Sequence, residues 1–254
     1  MQDFPKFWPD IASQAVVNAL INSVGDDILE NSHGLTTNNG RPARIWDFIN
    51  THIYHDMPAY GCDVGIAKRG YYEFVPIYHR DSKTLMTLMR EKNFFEVSRN
   101  QCRREEAHYL DALVRVLNSD IEIEEEQLSM FSTPHVFKNE EQLAEIAERF
   151  LCNFPLNLMD IDRHVLILFS TGGSSLLSVR AVLLDSALHI VAQEDWSHFI
   201  KQQEGAVVAT VDMTAAATNR PMHGMMLTSK ALERQHRETL EPKKEESSHE
   251  DVDE

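Results

Sequence analysis

Apolar residues in the first half of the chain recur every three or four positions, which is the spacing of one buried face of a helix. On this basis we predict amphipathic helices over about residues 10–29, 45–54 and 101–118. The third has the clearest apolar stripe, and Asn118 follows it as a natural helix stop. The residues of that stripe are Leu110, Leu113, Val114 and Leu117. The N-terminal half is therefore predicted to be mainly helical.

A fourth helix is predicted directly after Asp81 and Ser82. Either side chain can accept a hydrogen bond from the unpaired amides at the start of a helix. Leu85, Leu88 and Met89 then lie three and four positions apart, so that they would form its inner face.

Residues 63–78 predict a β-hairpin instead of a helix. Two short apolar runs, VGIA and YYEFVPIY, are joined around Lys68, Arg69 and Gly70. Glycine readily adopts the backbone conformation that a tight turn needs. Because Pro76 cannot donate to a strand ladder, the second strand is expected at a sheet edge.

The second half of the chain has the pattern of strands. Apolar runs predict strands over residues 164–170, 176–185 and 187–192, and the short connections between them predict antiparallel pairing. Asn139 is the predicted cap of a helix that precedes them, and Glu194 begins a short helix that follows them. The run AVVATVDM predicts a fourth strand.

Together these elements predict an α+β fold. It has a mainly helical N-terminal half with a β-hairpin, and a C-terminal half made of a small antiparallel sheet with flanking helices. The predicted regions are residues 1–118, an acidic connector over 119–138, the α+β region over 139–215, and residues 216–254. The last region holds a loop, a marginal helix and a disordered acidic tail, because EPKKEESSHEDVDE has almost nothing to bury.

Charge is distributed unevenly along the 254 residues, whose formal net charge is −16. Residues 119–148 hold nine acidic residues and one lysine. This excess argues against unspecific binding along a nucleic-acid backbone, since such binding needs many Lys and Arg. We therefore predict a soluble interaction or regulatory protein that binds a basic protein partner through an acidic surface. No catalytic constellation is evident.

The cysteines and the termini predict a cytoplasmic protein. Cys62, Cys102 and Cys152 are odd in number, far apart and without a C-x-x-C pair. No run of about 18 apolar residues predicts a membrane span, and the N-terminus lacks the pattern of a secretory signal. No cofactor or metal is predicted, although the three-residue spacing of His52 and His55 on a helix would suit two metal ligands.

The stretch from residue 62 to 118 has the opposite charge balance, with ten Lys and Arg against eight Asp and Glu. Lys68 and Arg69 at the predicted turn are candidate binding residues for an anionic ligand. A local field governs such an encounter more than the total charge does. The aromatic residues of the hairpin are explained either by packing or by stacking on nucleotide bases.

Arg103 and His108 have the spacing R-x4-H. This spacing resembles that of the HEPN ribonucleases, which are helical, metal-independent enzymes in which an Arg and a His act on the scissile phosphate. The resemblance implies an alternative function, an RNA-directed enzyme with His108 as acid or base and Arg103 or Arg104 stabilising phosphate charge. The sequence departs from the HEPN pattern in its predicted strands, and in Arg104 at the position of the usual polar residue.

Overall fold

The computed structural model of the protein describes most of its first 200 residues. The described residues are 8–32, 35–37, 39–121, 135–151, 154 and 156–200. They form six α-helices and eight strands and belong to one compact unit, Met1–Ala209. A second unit, Thr210–Glu254, lies outside the described residues. The predicted fourth strand of the C-terminal half, the acidic tail and most of the acidic connector also lie outside them.

The described part of the chain begins with three helices. Helix α1 spans Asp10–Val24, α2 spans Asp26–Glu30 and α3 spans Arg41–Asp56. The helix predicted over residues 10–29 is therefore two helices, because the backbone of Gly25 (φ −95°, ψ −96°) leaves the helical region. The helix predicted over 45–54 is confirmed and is longer than predicted.

Five strands follow α3. They are β1 Cys62–Val64, β2 Ala67–Arg69, β3 Tyr72–Phe74, β4 Ile77–His79 and β5 Thr84–Arg90. Strands β2 and β3 form the predicted hairpin as a separate two-stranded sheet. The predicted second strand is divided at Pro76, which lies outside the strands. The part before it, β3, has the predicted edge position in the two-stranded sheet, whereas β4 pairs with β1 on one side and β5 on the other.

Strand β5 replaces the helix predicted after Asp81 and Ser82. Its residues are buried on both faces of the sheet, the polar Thr84 and Thr87 included, so the strand has no alternation of apolar and polar residues. Leu85 and Met86 belong to hydrophobic clusters on opposite sides. The three-and-four spacing of Leu85, Leu88 and Met89 is a coincidence within this strand.

The remaining described α-helices and strands are three helices and three longer strands. They are α4 Glu91–Arg99, α5 Tyr109–Leu117, α6 Leu143–Phe150, β6 Arg163–Gly172, β7 Ser175–Leu184 and β8 Ile190–Asp195. The predicted antiparallel pairing of β6, β7 and β8 is confirmed. Glu194, the predicted first residue of a helix, lies in β8 instead and pairs with Ala181. Trp196, Phe199 and Ile200, which follow β8, are buried as predicted.

One mixed sheet joins the two halves of the chain. Its strand order is β1-β4-β5-β6-β7-β8, and β5 and β6 are parallel neighbours while the other pairs are antiparallel. The α+β class is confirmed, and the C-terminal sheet is larger than predicted because it includes strands that precede the connector. None of the described helices is both long and apolar enough to cross a bilayer.

Helices cover both faces of the sheet. The cluster on one face combines Val16 of α1 and Ile49 of α3 with Ile167 of β6. The clusters on the other face combine α4, α5 and α6 with residues such as Leu85 and Leu166. The second face carries the candidate functional residues, since the start of α5 lies on it.

Asn118 fastens the end of α5 to the sheet. It is fully buried and caps α5 where a helix stop was predicted. Its side-chain amide donates to the carbonyls of His164 at 2.9 Å and Leu184 at 3.0 Å, and its oxygen accepts from the His164 amide at 2.8 Å. Buried main-chain groups are thereby satisfied.

His164 itself is a fully buried histidine on β6. Its Nε2 lies 3.0 Å from Thr87 Oγ1 of β5, and its Nδ1 has no hydrogen-bond partner among the described residues. Burial disfavours the charged ring and lowers the pKa of His164 to about 3. The ring is therefore neutral at physiological pH.

Candidate functional site

The segment before α5 is not helical over the length that was predicted. A 3-10 helix spans Gln101–Arg103, the backbone of Arg104 is extended, and α5 begins only at Tyr109. The helix predicted over residues 101–118 is therefore wrong at its beginning and right at its end. Residues 101–108 have no apolar stripe, and polar side chains among them form hydrogen bonds with residues outside this segment.

A buried carboxylate, that of Asp111 in the first turn of α5, holds this segment in place. Asp111 Oδ2 accepts hydrogen bonds from Arg104 Nη2 at 2.7 Å and from the His108 amide at 2.8 Å. Its Oδ1 accepts one from Gln101 Nε2 at 2.9 Å. Arg104, a candidate phosphate-binding residue in the sequence, thus compensates a charge that would be costly to bury alone.

His108 is the N-cap residue of α5 and does not lie on its outer face. The ring Nδ1 accepts a hydrogen bond from the Leu110 amide at 3.3 Å. In a neutral imidazole, an accepting Nδ1 leaves the hydrogen on Nε2, which is then a donor. This arrangement favours a donor role for His108 over the role of a base.

Arg103 is exposed at the end of the 3-10 helix. The R-x4-H spacing of Arg103 and His108 therefore extends over two elements and not along one helix. Ribonuclease chemistry stays a prediction, and the pairing of Arg104 with Asp111 gives it no support.

A second segment, residues 135–140, fixes the loop before α5 from outside. The Lys138 amide donates to the Glu105 carbonyl at 2.8 Å, and Asn139 Oδ1 accepts from the Ala107 amide at 2.9 Å. Because both contacts involve main-chain groups of residues 105–107, they fix the path of the backbone before α5.

The β2–β3 hairpin is anchored at its base. Ala67 and Phe74 lie opposite each other across the two strands. The ring centroid of Phe74 lies 4.5 Å from that of Phe150 on α6 and 6.2 Å from that of Tyr109 on α5. Gly70 in the turn has a φ of +59°, which favours glycine. The base contacts place the hairpin beside the start of α5.

The hairpin, the start of α5 and helix α6 line a groove of about 550 Å³, which we name the hairpin groove. Lys68 and His108, two candidates that are far apart in the sequence, both line it. Arg103 and Arg104 are not among its described lining residues. Arg149 of α6 lines it too, and sequence analysis missed this residue because it lies outside the basic stretch.

Carboxylates of the same chain partly balance the cations of the hairpin groove. Lys68 Nζ lies 2.8 Å from Glu73, and Arg149 lies 3.7 Å from Glu145. All four side chains are exposed, and exposed ion pairs contribute only about 0–1 kcal/mol. A ligand with a denser negative charge can therefore compete for both cations. Arg69 belongs to β2, and its side chain is outside the described part.

A second groove, of about 1010 Å³, lies between the end of α5, helix α6 and residues 156–162. We name it the acidic groove. Its apolar lining includes Leu117, Leu151, Phe154, Leu156, Met159 and Ile161. Met159 is 92% exposed, although methionine is usually buried. Three carboxylates, those of Asp120, Glu148 and Asp162, also line this groove.

Both ends of the acidic run meet at the acidic groove. Asp120 is the first acidic residue of that run and Glu148 is its last. Asp120 forms an ion pair with Arg163 at 3.0 Å, and Asp162 lies 3.9 Å from Lys83. The sequence shows how much negative charge the acidic run carries, but only the fold shows that the two ends of this run lie at the same groove.

His52 and His55, the two histidines with a spacing that would suit metal ligands, contact other side chains instead. His52 Nε2 lies 2.7 Å from Asp27 Oδ2, and the ring of His55 packs against Tyr54. Among the residues that the structure describes, no group of three or more His, Cys, Asp or Glu could hold a metal ion.

The fold and the two grooves define an α+β protein with a mixed six-stranded sheet and two surface grooves on one side of it. Residues 8–243 match the model of a family described as a family of unknown function (DUF5986), and the chain belongs to that family. No curated protein and no solved structure matches the chain.

Proposed function

We propose that the protein is an interaction protein that binds a basic, amphipathic segment of a partner protein in the acidic groove. The observation that carries this proposal is the position of Asp120 and Glu148, the two ends of the acidic run, beside one apolar surface. We place the interaction in the cytoplasm, as the pattern of cysteines predicts.

The lining of the groove supports a partner with one apolar face and one basic face. Side chains such as Leu156 and Phe154 provide an apolar floor, and an amphipathic helix buries its apolar anchors in such grooves. Met159 adds a flexible, polarisable contact of the kind found at adaptable binding surfaces. Glu148, on the exposed side of α6, attracts lysine or arginine and raises the rate of encounter.

Binding to this groove is expected to depend on both its charge and its apolar surface. The probe is a fluorescein-labelled peptide of about 14 leucine and lysine residues, patterned as an amphipathic helix. Glu148→Lys and Met159→Ser are each expected to weaken its binding by about tenfold, through repulsion of the lysines and loss of an apolar contact respectively. Fluorescence anisotropy at about 50 and about 200 mM salt measures the affinity.

Glu141→Lys is the matched control, because it makes the same charge change at an exposed residue that does not line the acidic groove. Its effect on peptide affinity is expected to be less than about threefold. Equal losses for Glu141→Lys and Glu148→Lys would mean that the peptide responds only to total charge, and would refute the assignment of the groove.

A further inference from the structure

The tip of the β2–β3 hairpin presents two adjacent tyrosines to solvent. The Tyr71 side chain is fully exposed, and Tyr72 is 52% exposed. Neither ring makes a hydrogen bond or an aromatic contact within the described part of the chain. Phe74, two residues after Tyr72, packs on Phe150 of α6, and this packing does not extend to the two tyrosines.

These tyrosines adjoin the hairpin groove. Gly70, which lines the groove, directly precedes Tyr71 in the two-residue turn that joins Arg69 to Tyr72. The two tyrosines are not lining residues themselves, but they follow directly on Gly70 at the tip of the hairpin that also carries Lys68.

The rest of the groove provides groups that bind phosphates and sugars. Among the described lining residues, Lys68 and Arg149 are the cations and Glu106 is the one carboxylate. The Nε2 of His108 is a donor when its Nδ1 accepts from the helix. The side chains of Asn139 and Gln142 also line the groove. The amide oxygen of Asn139 accepts from the Ala107 main chain, so its NH2 group is the part of this side chain that can donate to a ligand.

We propose that the hairpin tip and the hairpin groove form a binding site for single-stranded nucleic acid. One or two bases stack on Tyr71 and Tyr72, and the adjoining phosphodiester binds at Lys68 and Arg149. Stacking on aromatic rings combined with a cationic groove is the arrangement by which proteins bind single strands without reading their sequence. The volume of about 550 Å³ is within the range of small-ligand sites.

Single-stranded nucleic acid explains the combination of features better than a protein partner does. A protein hot spot would use tyrosine and arginine as well, but it would not account for the further donors of Lys68, His108 and Asn139 beside them. The high total negative charge of the chain predicts a short site of few phosphates with a shallow dependence on salt. The site is separate from the acidic groove and does not rest on its assignment.

The test is fluorescence anisotropy of the full chain with labelled oligouridine and oligothymidine of about 12 nucleotides. The double variant Tyr71→Ala/Tyr72→Ala is expected to weaken binding of whichever oligonucleotide the protein prefers by about tenfold or more. Lys68→Ala is expected to weaken it less and to reduce the salt slope by about one. Comparison of the two oligonucleotides shows whether the sugar 2′-hydroxyl contributes.

Tyr54→Ala and Lys92→Ala are the matched controls, because both residues are exposed and lie outside the hairpin groove. They are expected to bind the oligonucleotides as the unmodified protein does. Absence of binding to either oligonucleotide at about 50 mM salt would overturn the proposal. So would unchanged affinity in the double tyrosine variant. If the double tyrosine variant no longer bound the leucine–lysine peptide but kept its affinity for oligonucleotides, the hairpin would be a protein-binding surface instead.

Discussion

Replacement of Arg104 by methionine is expected to lower the free energy of unfolding by about 3 to 5 kcal/mol. The substitution leaves the carboxylate of Asp111, which is fully buried, without the cation that lies 2.7 Å from it. Methionine retains much of the apolar volume of the arginine stem, so the loss reports mainly on the charge. Urea denaturation followed by circular dichroism measures the difference.

Arg103→Met is the matched control for this experiment. Arg103 precedes Arg104 directly but is exposed, and exposed substitutions usually change stability by less than about 0.5 kcal/mol. If Arg104→Met also cost less than about 1 kcal/mol, the ion pair with Asp111 would not hold the loop, and Arg104 would again be a candidate for binding phosphate.

Removal of the His164 imidazole is expected to make the protein more resistant to acid. The folded pKa of His164 is about 3, below the ordinary value of 6.5. Between these values the unfolded chain binds a proton that the folded chain does not, so stability falls as the pH falls from 6.5 towards 3. The contribution reaches roughly 4 kcal/mol at the acid end of this window. The double variant His164→Leu/Thr87→Val removes it and leaves no unpaired hydroxyl.

The measurement is the free energy of unfolding in urea at several pH values between 7 and 4. The slope against pH is expected to be smaller in the double variant than in the unmodified protein, whatever the two stabilities are at pH 7. The pKa of Asp63 is lowered by its hydrogen bond with Arg80, and that of Asp195 by Ser197, and both effects are present in each protein. His55→Gln, at an exposed residue, is the control. Parallel slopes in all three proteins would contradict the account of His164.

Local patterns were enough to predict one helix, two of the long strands and the hairpin turn. Helix α3 follows from periodicity, the antiparallel strands β6 and β7 from apolar runs with a short connection, and the hairpin turn from Gly70. Strand β5 was misread because it is buried on both faces and has no alternation, while Leu85, Leu88 and Met89 happen to fit a helical spacing. Its parallel pairing with β6 is a contact between distant segments that no local pattern encodes.

The sequence was enough to name candidate residues, but not to show which of them lie together in the folded protein. Lys68 and His108 were each identified, and the packing of Phe74 on Phe150 is what brings their elements to one groove. Arg104 had the same sequence signature as the exposed Arg103, and only the burial of Asp111 separates their roles. The contacts that decide function are therefore tertiary, while the sequence patterns report secondary structure.

The most direct test of the central claim is methyl NMR of the protein labelled at its methionine methyl groups, titrated with the leucine–lysine peptide. If the peptide binds in the acidic groove, the Met159 resonance shifts and saturates, whereas that of the buried Met57 stays in place. A counterpart peptide with glutamate in place of lysine is expected to leave Met159 unchanged. Saturable binding of the basic peptide without a change at Met159 would contradict the account.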